Sequence, residues 1–572
     1  MNMLFDELDL TLDDFREIEH IESQFRETES HSSDYEEFIR FPNRRARKRC
    51  IVPSDTEDEE TLVPSPSESG YTPNTEWHEP QGKQPNIIPY TEISVLKPMH
   101  LRHALAGGQP ADFYNLMVPE ALLEDIARQT NIFAAQVLSK SRLSRQSRLH
   151  LWKNTDKTEI KKFFGLIIWM GLVKLPKLAL YWSNNPMYAQ PFAKNIMSRN
   201  RFEILLRMLH FSNNEEAREN DRLWKISNLL STLNANFAYH YTPGEFLCVD
   251  ESMIPFRGRV IFRQYNKQKR HKYGIKLFKL CTVPGYTWKI EVYSGKQLDS
   301  AFSTPTNVVL RLCVGLLGKG HSVFVDNWYT SLDLAEKLID NETHLIGTLR
   351  RNRKYLPKQV MEAKLNPGEF AAKENSKGIT VMKWKDKRDV CLLSTKHSIG
   401  FRKTKNKRGI EVIKPKIIMD YNKAKAAVDL SDQMTAYSSP LRKSIKWYKK
   451  LALELLLNTA VVNARVLYEA TTKKKIPIIE FRRKLSQQMI DTNPRYGATS
   501  NIPCRPKRIK HSLVKADGKA AKTRKFCVGC YKNNSQTHGR KIAKNKTKKV
   551  TTFCSVCPDK PYLCRSCFDK NH

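Results

Sequence analysis

The sequence predicts a mixed α/β protein in which a sheet-containing core is flanked by helices and followed by a cysteine-rich module. Apolar strand patterns alternate with helical patterns between residues 245 and 351, which indicates an α/β layer with a parallel portion. Helical periodicity dominates residues 98–244 and 440–500, and six of the twelve cysteines fall in the last 46 residues. A chain of 572 residues is long enough for roughly two to four domains, each with a real core.

Charge is distributed unevenly along the chain. Residues 1–100 contain 22 acidic and 10 basic side chains, whereas the whole chain has a formal charge of +38, so the rest carries about +50. A folded body this basic favours a polyanionic partner, and double-stranded DNA is the first candidate. An anionic membrane is the second, but no lipidation motif, basic amphipathic helix or sufficiently long apolar run supports it. The acidic N-terminus has no apolar signal region, so we expect a reducing compartment, in which cysteines bind metal rather than form disulfides.

Changes in composition predict the domain boundaries. Residues 1–97 are expected to be a disordered acidic arm, because Ser/Pro-rich acidic runs bury too little apolar surface to offset chain entropy. Within it, the basic hexamer 44–49 predicts nuclear import through an import receptor, with a solvated charge run as the alternative. The predicted order thereafter is a helical segment 98–244, the first part of the core 245–351, a lysine-rich insertion 352–414, the last part of the core 415–439, a second helical segment 440–500, a basic linker 501–526 and the cysteine module 527–572.

Two predicted strands each deliver an aspartate. Asp250 ends one apolar run and Asp326 ends a later one, and a carboxylate in such a position needs a compensating cation. Asp429 and Asp432, three residues apart on one face of a predicted helix, can supply further carboxylates; a solvated acidic face or a helix cap is the alternative. Oxygen ligands suit Mg²⁺, and two such ions can stabilise both oxygens of a phosphodiester displacement.

A strongly basic segment follows Asp250 directly. Its side chains predict contacts with DNA phosphates, which contribute affinity without reading the base sequence. A solvated lysine-rich turn is the alternative for part of the set. The predicted DNA-contacting residues are Arg257, Arg259, Arg263, Lys267, Arg270, Lys272 and Lys276.

The last 46 residues contain three Cys-x2-Cys pairs. Each pair can bind zinc from a tight turn, and two tetrahedral zinc ions need eight ligands. The predicted zinc ligands are Cys527, Cys530, Cys554, Cys557, Cys564, Cys567 and His572, with His538 as the candidate for the eighth position. Spacing alone does not determine which pairs share an ion.

Four ordered motifs together resemble the motif series of the piggyBac-type DDE transposases. They are Cys248-Val-Asp-Glu-Ser-Met-Ile-Pro-Phe-Arg-Gly-Arg259, Gly274-Ile-Lys-Leu277, Val325-Asp-Asn-Trp-Tyr-Thr-Ser331 and Val428-Asp-Leu-Ser-Asp-Gln433. The resemblance covers roughly residues 98–572. It implies an RNase H-like catalytic core interrupted by the insertion, with the helices on both sides folding together as a dimerisation and DNA-binding domain.

The resemblance also implies the site and its chemistry. Asp250, Asp326 and Asp429 would be the metal-binding triad and Asp432 an accessory carboxylate. The implied reaction is Mg²⁺-dependent nicking at a transposon end, hairpin formation and joining into TTAA targets, performed by a homodimer. A cross-braced finger with two zinc ions would bind the transposon end. One alternative is a nuclear DNA-binding derivative without turnover. Another, a stand-alone zinc-finger interaction module, leaves the aspartates unexplained.

The approach to the third aspartate departs from the family pattern. This chain has Lys425-Ala-Ala427 where the family usually has a Gly-rich sequence. Because Ala favours helix more than Gly, we expect a stiffer backbone before Asp429 without loss of metal binding.

Overall fold

The computed structural model describes residues 76–571 apart from 85–86, 95, 141–146, 218–220, 268–270, 296–303, 406–410, 492–510, 556 and 558. The predicted import hexamer 44–49, the predicted DNA contact Arg270 and the predicted zinc ligand His572 lie outside the described residues. The chain divides into two compact units after residue 492.

The larger unit contains both helices and strands. Its helices are α1 Met99–Ala104, α2 Pro110–Met117, α3 Glu120–Lys140, α4 Lys157–Leu172, α5 Pro191–Ile196, α6 Arg199–Met208, α7 Ser227–His240, α8 Pro305–Cys313, α9 Leu332–Asp340, α10 Lys358–Glu362, α11 Lys416–Ala424, α12 Ala427–Ala436, α13 Trp447–Glu454, α14 Ala460–Thr472 and α15 Ile478–Ile490. Its strands are β1 Trp77–His78, β2 Phe246–Pro255, β3 Gln264–Tyr265, β4 Tyr273–Thr282, β5 Tyr286–Val292, β6 Ser322–Val325, β7 His344–Thr348, β8 Phe370–Asn375, β9 Thr380–Lys385, β10 Asp389–Ser394, β11 Phe401–Lys405 and β12 Glu411–Pro415.

One ten-stranded sheet organises this unit. Its order is β1-β8-β9-β10-β7-β6-β2-β4-β3, and β5 also pairs with β4. Strands β2, β6 and β7 run parallel, and helix α9 connects β6 to β7 as a crossover helix does. Strands β4 and β5 form an antiparallel hairpin, and Gly285 in its turn has a φ of +101°, which suits glycine. The predicted mixed α/β layer with a parallel portion is confirmed.

Part of the predicted insertion belongs to the central sheet. Strand β10 pairs with β7, opposing Leu392 to Thr348, so β8, β9 and β10 extend the central sheet. Only β11 and β12, among the described strands of this segment, form a small sheet of their own. The lysine-rich composition of residues 352–414 hid this continuity, because the buried Lys383 interrupts the apolar pattern of a central strand.

The helical segments on the two sides of the sheet region pack together. The Ser486 hydroxyl of α15 donates a hydrogen bond to the Gly165 carbonyl of α4 at 2.7 Å. A Cβ at Gly165 would meet the Cβ of Met489 at 3.0 Å, so the two helices approach closely where there is no side chain. The described helices of residues 98–244 and 440–491 therefore contribute to one helical body.

One long apolar stretch lies in the interior of this body. Among the described residues, Trp447–Thr472 is the one helical run that is long and apolar enough to cross a membrane. In its most apolar window, 89% of the residues are buried inside the protein, as in a core helix of a globular protein.

Residues 76–97 correct the predicted extent of the disordered arm. The described part of this segment lies along the core: β1 pairs with β8, the Tyr90 hydroxyl donates to the Pro243 carbonyl at 2.7 Å, and Lys319 is ion-paired with Glu92 at 2.9 Å. Its contacts are made singly by residues with no helical or strand period, so the sequence pattern did not predict them.

The smaller unit is built from short elements. These are strands β13 Leu513–Lys515, β14 Lys525–Phe526, β15 Lys549–Val550 and β16 Thr552–Cys554, and helices α16 Ala520–Thr523, α17 Val528–Lys546 and α18 Arg565–Asn571. Strand β13 pairs with β16 and β14 pairs with β15. Two fully buried cysteines, Cys527 and Cys554, lie in its interior.

Candidate active site and zinc-binding unit

Asp250 and Asp326 occupy matching positions on adjacent parallel strands. The β2–β6 pairing ends at Val249 opposite Val325, and each aspartate is the next residue. The Thr348 hydroxyl, at the end of the neighbouring β7, donates to Asp326 Oδ1 at 3.0 Å. Matched register therefore brings the two predicted carboxylates to one place on the sheet.

Helix α12 lies over this part of the sheet and contains the other two aspartates. Ala427 and Val428 pack against Cys248 and Cys281 of β2 and β4. This helix is separate from the one before it: α11 ends at Ala424, and α12 begins three residues later. This break places Asp429 in the first turn of α12, where the helix dipole stabilises a negative charge.

The turn of the β4–β5 hairpin holds α12 in position. The Thr287 and Ser431 hydroxyls are hydrogen-bonded at 2.9 Å, and Asn463 bonds both the backbone N–H and the carbonyl of Thr287 at 2.8 and 2.7 Å. A Cβ at Gly285 would meet the backbone nitrogen of Ser431 at 3.1 Å. These hydrogen bonds connect α12 to the hairpin and the hairpin to helix α14 of the helical body, so they fix the position of α12.

Asp432 is ion-paired with a buried lysine that no sequence motif identified. Lys279 is 1% exposed, lies opposite Asp250 in the β2–β4 register, and places its Nζ 2.7 Å from Asp432 Oδ1. Cross-strand partners project from the same face of a sheet, so Lys279 lies beneath α12 on the side of Asp250. The available signal was a lysine in the otherwise apolar second half of β4.

A second buried acid lies near this ion pair. Burial raises the pKa of Glu454 in α13, although the charge of Lys279 opposes the rise, and the Asn458 amide donates to Glu454 at 2.7 Å. Burial alone would lower the pKa of Lys279, but Asp432 and then other acidic groups, Glu454 among them, raise it overall. Lys279 is therefore an internal cation held among carboxylates.

Neighbouring titratable groups experience the negative charge of this cluster. Burial, and then the charge of Asp250, raise the pKa of the Cys248 thiol well above its usual value. Burial likewise raises the pKa of Tyr329, with Asp250 and Asp326 both adding to the effect. The Tyr329 hydroxyl is buried and has no hydrogen-bond partner among the described residues. Because buried polar groups are normally hydrogen-bonded, this hydroxyl can bind a further polar group beside the acids.

The carboxylates fit a hard divalent cation. Asp250, Asp326 and Asp429 offer only oxygen donors, and Mg²⁺ prefers such donors. Two of these residues directly follow matched positions on neighbouring strands, and the third lies in the first turn of the helix that packs on them, so the three carboxylates come from elements in contact with one another. The Oδ1 atom of Asp432 is ion-paired with the Nζ of Lys279.

The predicted DNA-contacting residues fall into two groups. Five are exposed around the turn after β2: Arg257, Arg259, Arg263, Lys267 and Lys272. Lys276 is partly buried, is ion-paired with Glu251, and lies over the Trp328 ring at 4.9 Å from its centroid. The exposed group is available to phosphates, whereas Lys276 belongs to the packing around the aspartates.

Four of the predicted zinc ligands meet in the smaller unit. The ligand atoms of Cys527, Cys530, Cys564 and Cys567 all lie within 4.8 Å of one another. The Cys530 sulfur is 3.7 Å from that of Cys564 and 3.6 Å from that of Cys567. A zinc tetrahedron with bonds of about 2.3 Å places its sulfurs about 3.8 Å apart, so this group fits zinc.

The second group contains a histidine that was not predicted. His511 Nδ1 lies 3.3 Å from the Cys554 sulfur and 3.4 Å from the Cys557 sulfur. His511 is in the basic linker, far from any Cys-x2-Cys pair in sequence, so no spacing rule identified it. His538, predicted for the eighth position, is exposed on α17 and belongs to neither group of the described residues. The two ligand sets alternate along the chain, as in the cross-braced finger that the resemblance implies.

We expect His511→Ala to lower the bound zinc from about two ions per chain to about one, because it removes a ligand from only one of the two groups. Zinc released from the purified full chain by a thiol-reactive reagent measures the content. His538→Ala is the matched control and should retain both ions. Loss of zinc from the His538 variant, with none from the His511 variant, would reverse the assignment.

Comparison with known proteins gives the family. The family model described as Transposase IS4 matches residues 109–465, which include all four aspartates and exclude the cysteine module. The chain belongs to the piggyBac-type DDE transposases. It is 28% identical over 455 residues to human PiggyBac transposable element-derived protein 3, covering 74% of this chain and 73% of that protein. It is 24% identical over 407 residues to human PiggyBac transposable element-derived protein 2, covering 67% and 66%.

A solved structure shares the fold of this piggyBac-type chain. It is the cryo-EM structure of a piggyBac transposase synaptic complex with hairpin DNA, with a TM-score of 0.62 and 23% identity. The match covers 83% of this chain and 100% of the other. Family and fold therefore agree with the resemblance given by the four motifs.

Proposed function

We propose that this protein is a nuclear DNA transposase that cuts and rejoins phosphodiester bonds with two Mg²⁺ ions at TTAA targets. The observation that carries the proposal is the convergence of Asp250 and Asp326 on adjacent parallel strands beneath the helix that contains Asp429. The sheet order β5-β4-β2-β6-β7, an antiparallel hairpin followed by parallel strands, supports an RNase H-like core. Dimerisation through the helical body and import through residues 44–49 are part of the same proposal.

The residues around the aspartates have distinct roles in this proposal. Asp250, Asp326 and Asp429 would hold the cations, and bound Mg²⁺ would supply charge stabilisation at the attacking and leaving oxygens of an in-line displacement. Lys279 neutralises Asp432 and fixes α12 over the sheet. The exposed arginines and lysines after β2 bind phosphates and orient the duplex.

The smaller unit has its own role. Its two ligand groups fit zinc ions that would hold short strands and helices together, since few apolar side chains in the described part of the unit are buried. We propose that it binds the transposon end through basic residues that lie along helix α17, such as Lys541 and Lys544.

A second candidate function is DNA binding without turnover, in a chain derived from a transposase. Two observations favour it: the relatives are described as transposable element-derived proteins, and one of the four carboxylates is neutralised by Lys279. A cation at Asp432 lowers the negative charge available to a second metal ion.

The test is a cleavage assay with the purified full chain, Mg²⁺, and DNA that carries the terminal repeats flanking its own gene. We expect Mg²⁺-dependent nicking at the repeat ends, none with chelator, and none on DNA of scrambled repeat sequence. Binding of the repeats without cleavage, in Mg²⁺ and in Mn²⁺, would exclude the enzyme and support the second candidate.

A further inference from the structure

A basic cavity lies in the part of the sheet contributed by the predicted insertion. It has a volume of about 810 Å³ and lies between residues 351–365 and strands β9 and β10. Seven of its fifteen lining residues are Lys or Arg, and two are acidic. Like charges brought together in a concave wall repel one another, so the cavity favours an anionic occupant.

Buried and paired groups fix the wall of this cavity. Lys383 is 3% exposed and donates to the carbonyls of Met361 and Ala363 at 3.2 and 2.5 Å, which ties α10 to β9. Asp389 is shared among three cations, Arg351 at 2.5 Å, Lys385 at 2.8 Å and Lys383 at 3.3 Å. One carboxylate cannot neutralise three cations, so the wall keeps a net positive charge around Asp389.

The cavity is joined to the segment that follows Asp326. Arg353 lines the cavity, and its guanidinium donates to the Trp328 carbonyl at 2.5 Å and to the Asn327 carbonyl at 3.2 Å. Asn327 directly follows Asp326, so one arginine side chain spans from the cavity wall to the loop of the candidate active site. The cavity wall is therefore bonded directly to the loop that follows Asp326.

Size and composition distinguish between forms of nucleic acid. A cavity of this volume is that of a small-ligand site, whereas the major groove of a duplex alone is about 12 Å wide, so a duplex cannot enter. Tyr355 lines the cavity, is 43% exposed, and has a left-handed φ of 66°, which is uncommon for a non-glycine residue. An exposed aromatic ring among cations is typical of single-strand binding, in which bases stack and phosphates are paired.

We propose that this cavity binds an unpaired DNA strand, with its phosphates on the cationic wall and a base against Tyr355. The inference rests on the proposed DNA function and adds to it a strand-specific subsite that does not depend on the aspartates. Lys354, Lys358 and Lys364 are exposed at the cavity and would contact the phosphates directly.

The test compares two triple variants of the full chain by fluorescence anisotropy, without divalent metal. One replaces Lys354, Lys358 and Lys364 with Gln, and the control replaces Lys473, Lys474 and Lys475, which follow α14, with Gln. With a labelled single-stranded oligodeoxynucleotide, we expect the cavity variant to bind at least about tenfold more weakly than wild type. The slope of log K against log salt concentration should become shallower by about two, since each lost phosphate contact contributes about 0.7 to that slope. The control should change binding less than about threefold.

Further arms identify the ligand. The affinity of the cavity variant for duplex DNA should stay within about threefold of wild type. The Tyr355→Leu substitution should weaken binding of the single-stranded oligodeoxynucleotide, which stacks on the ring, and leave competition by inorganic tripolyphosphate unchanged. An equal loss of affinity in both triple variants, or an equal loss for duplex and single-stranded DNA in the cavity variant, would overturn the proposal. Displacement of the single strand by an equal concentration of tripolyphosphate would overturn it as well. If single-strand binding depends on the cavity residues but the protein does not cleave DNA, the proposed function is refuted and this inference is retained.

Discussion

Asp250→Asn is expected to reduce Mg²⁺-dependent DNA cleavage by about 10³-fold or more, while binding of the same DNA changes less than about threefold. Asn keeps the shape of the side chain but removes a full negative charge beside Asp326, where the donor set would hold a cation. DNA affinity depends on the basic residues instead. Single-turnover cleavage and anisotropy on one preparation measure the two quantities.

Asp340→Asn is the matched control for this substitution. Asp340 is an exposed aspartate at the end of α9 in the same unit, so its variant should cleave at the wild-type rate. Thermal unfolding of both variants separates a catalytic loss from misfolding. DNA cleavage by the Asp250→Asn variant would contradict the assignment of Asp250. Binding of Mn²⁺ by this variant at the wild-type level would also contradict it, independently of activity.

The strands that position Asp250 and Asp326 could be predicted because their information is local. Each consists of a short apolar run that ends in an acid, and the alternation with helices implies parallel neighbours. The register that places the two acids side by side is a property of the folded sheet. The two residues could therefore be predicted from the sequence, whereas their positions next to each other are seen only in the structure.

The residues that were missed depend on contacts between distant segments. Lys279 and Asp432 are 153 residues apart, and His511 and Cys554 are 43 residues apart. No spacing rule applies at such separations, because side chains from different elements meet only after folding. A lysine in an apolar strand and a histidine in a basic linker are ordinary in sequence, and only burial or a sulfur partner shows their role.

Composition did not predict how residues 352–414 join the sheet. Residues 352–414 are polar and rich in lysine, yet β8, β9 and β10 extend the central sheet, and Lys383 of β9 is buried against carbonyls and an acid. Composition predicts whether a segment has enough apolar surface for a core of its own, and it does not predict pairing to the edge of an existing sheet.

The second large effect is expected for the buried ion pair of Lys279 and Asp432. Asp432→Asn should lower the free energy of unfolding by about 2–3 kcal/mol, because it leaves a cation that is 1% exposed without its partner. Lys279→Met should cost about 1–2 kcal/mol, since the acid left behind is 35% exposed and water can solvate it. The double variant should cost at least about 1 kcal/mol less than the sum of the two, as measured by urea unfolding in chelator.

Adding Mg²⁺ relates this pair to the candidate active site. In the Lys279→Met variant, Asp432 regains an uncompensated charge next to the other carboxylates, so a bound divalent cation can take the place of the ammonium. We therefore expect Mg²⁺ to raise the unfolding midpoint of this variant more than that of wild type, and not to do so for the double variant, which has no such charge. Additive single variants, or equal Mg²⁺ stabilisation of all four proteins, would show that Lys279 packs beneath α12 without sharing the electrostatics of the aspartates.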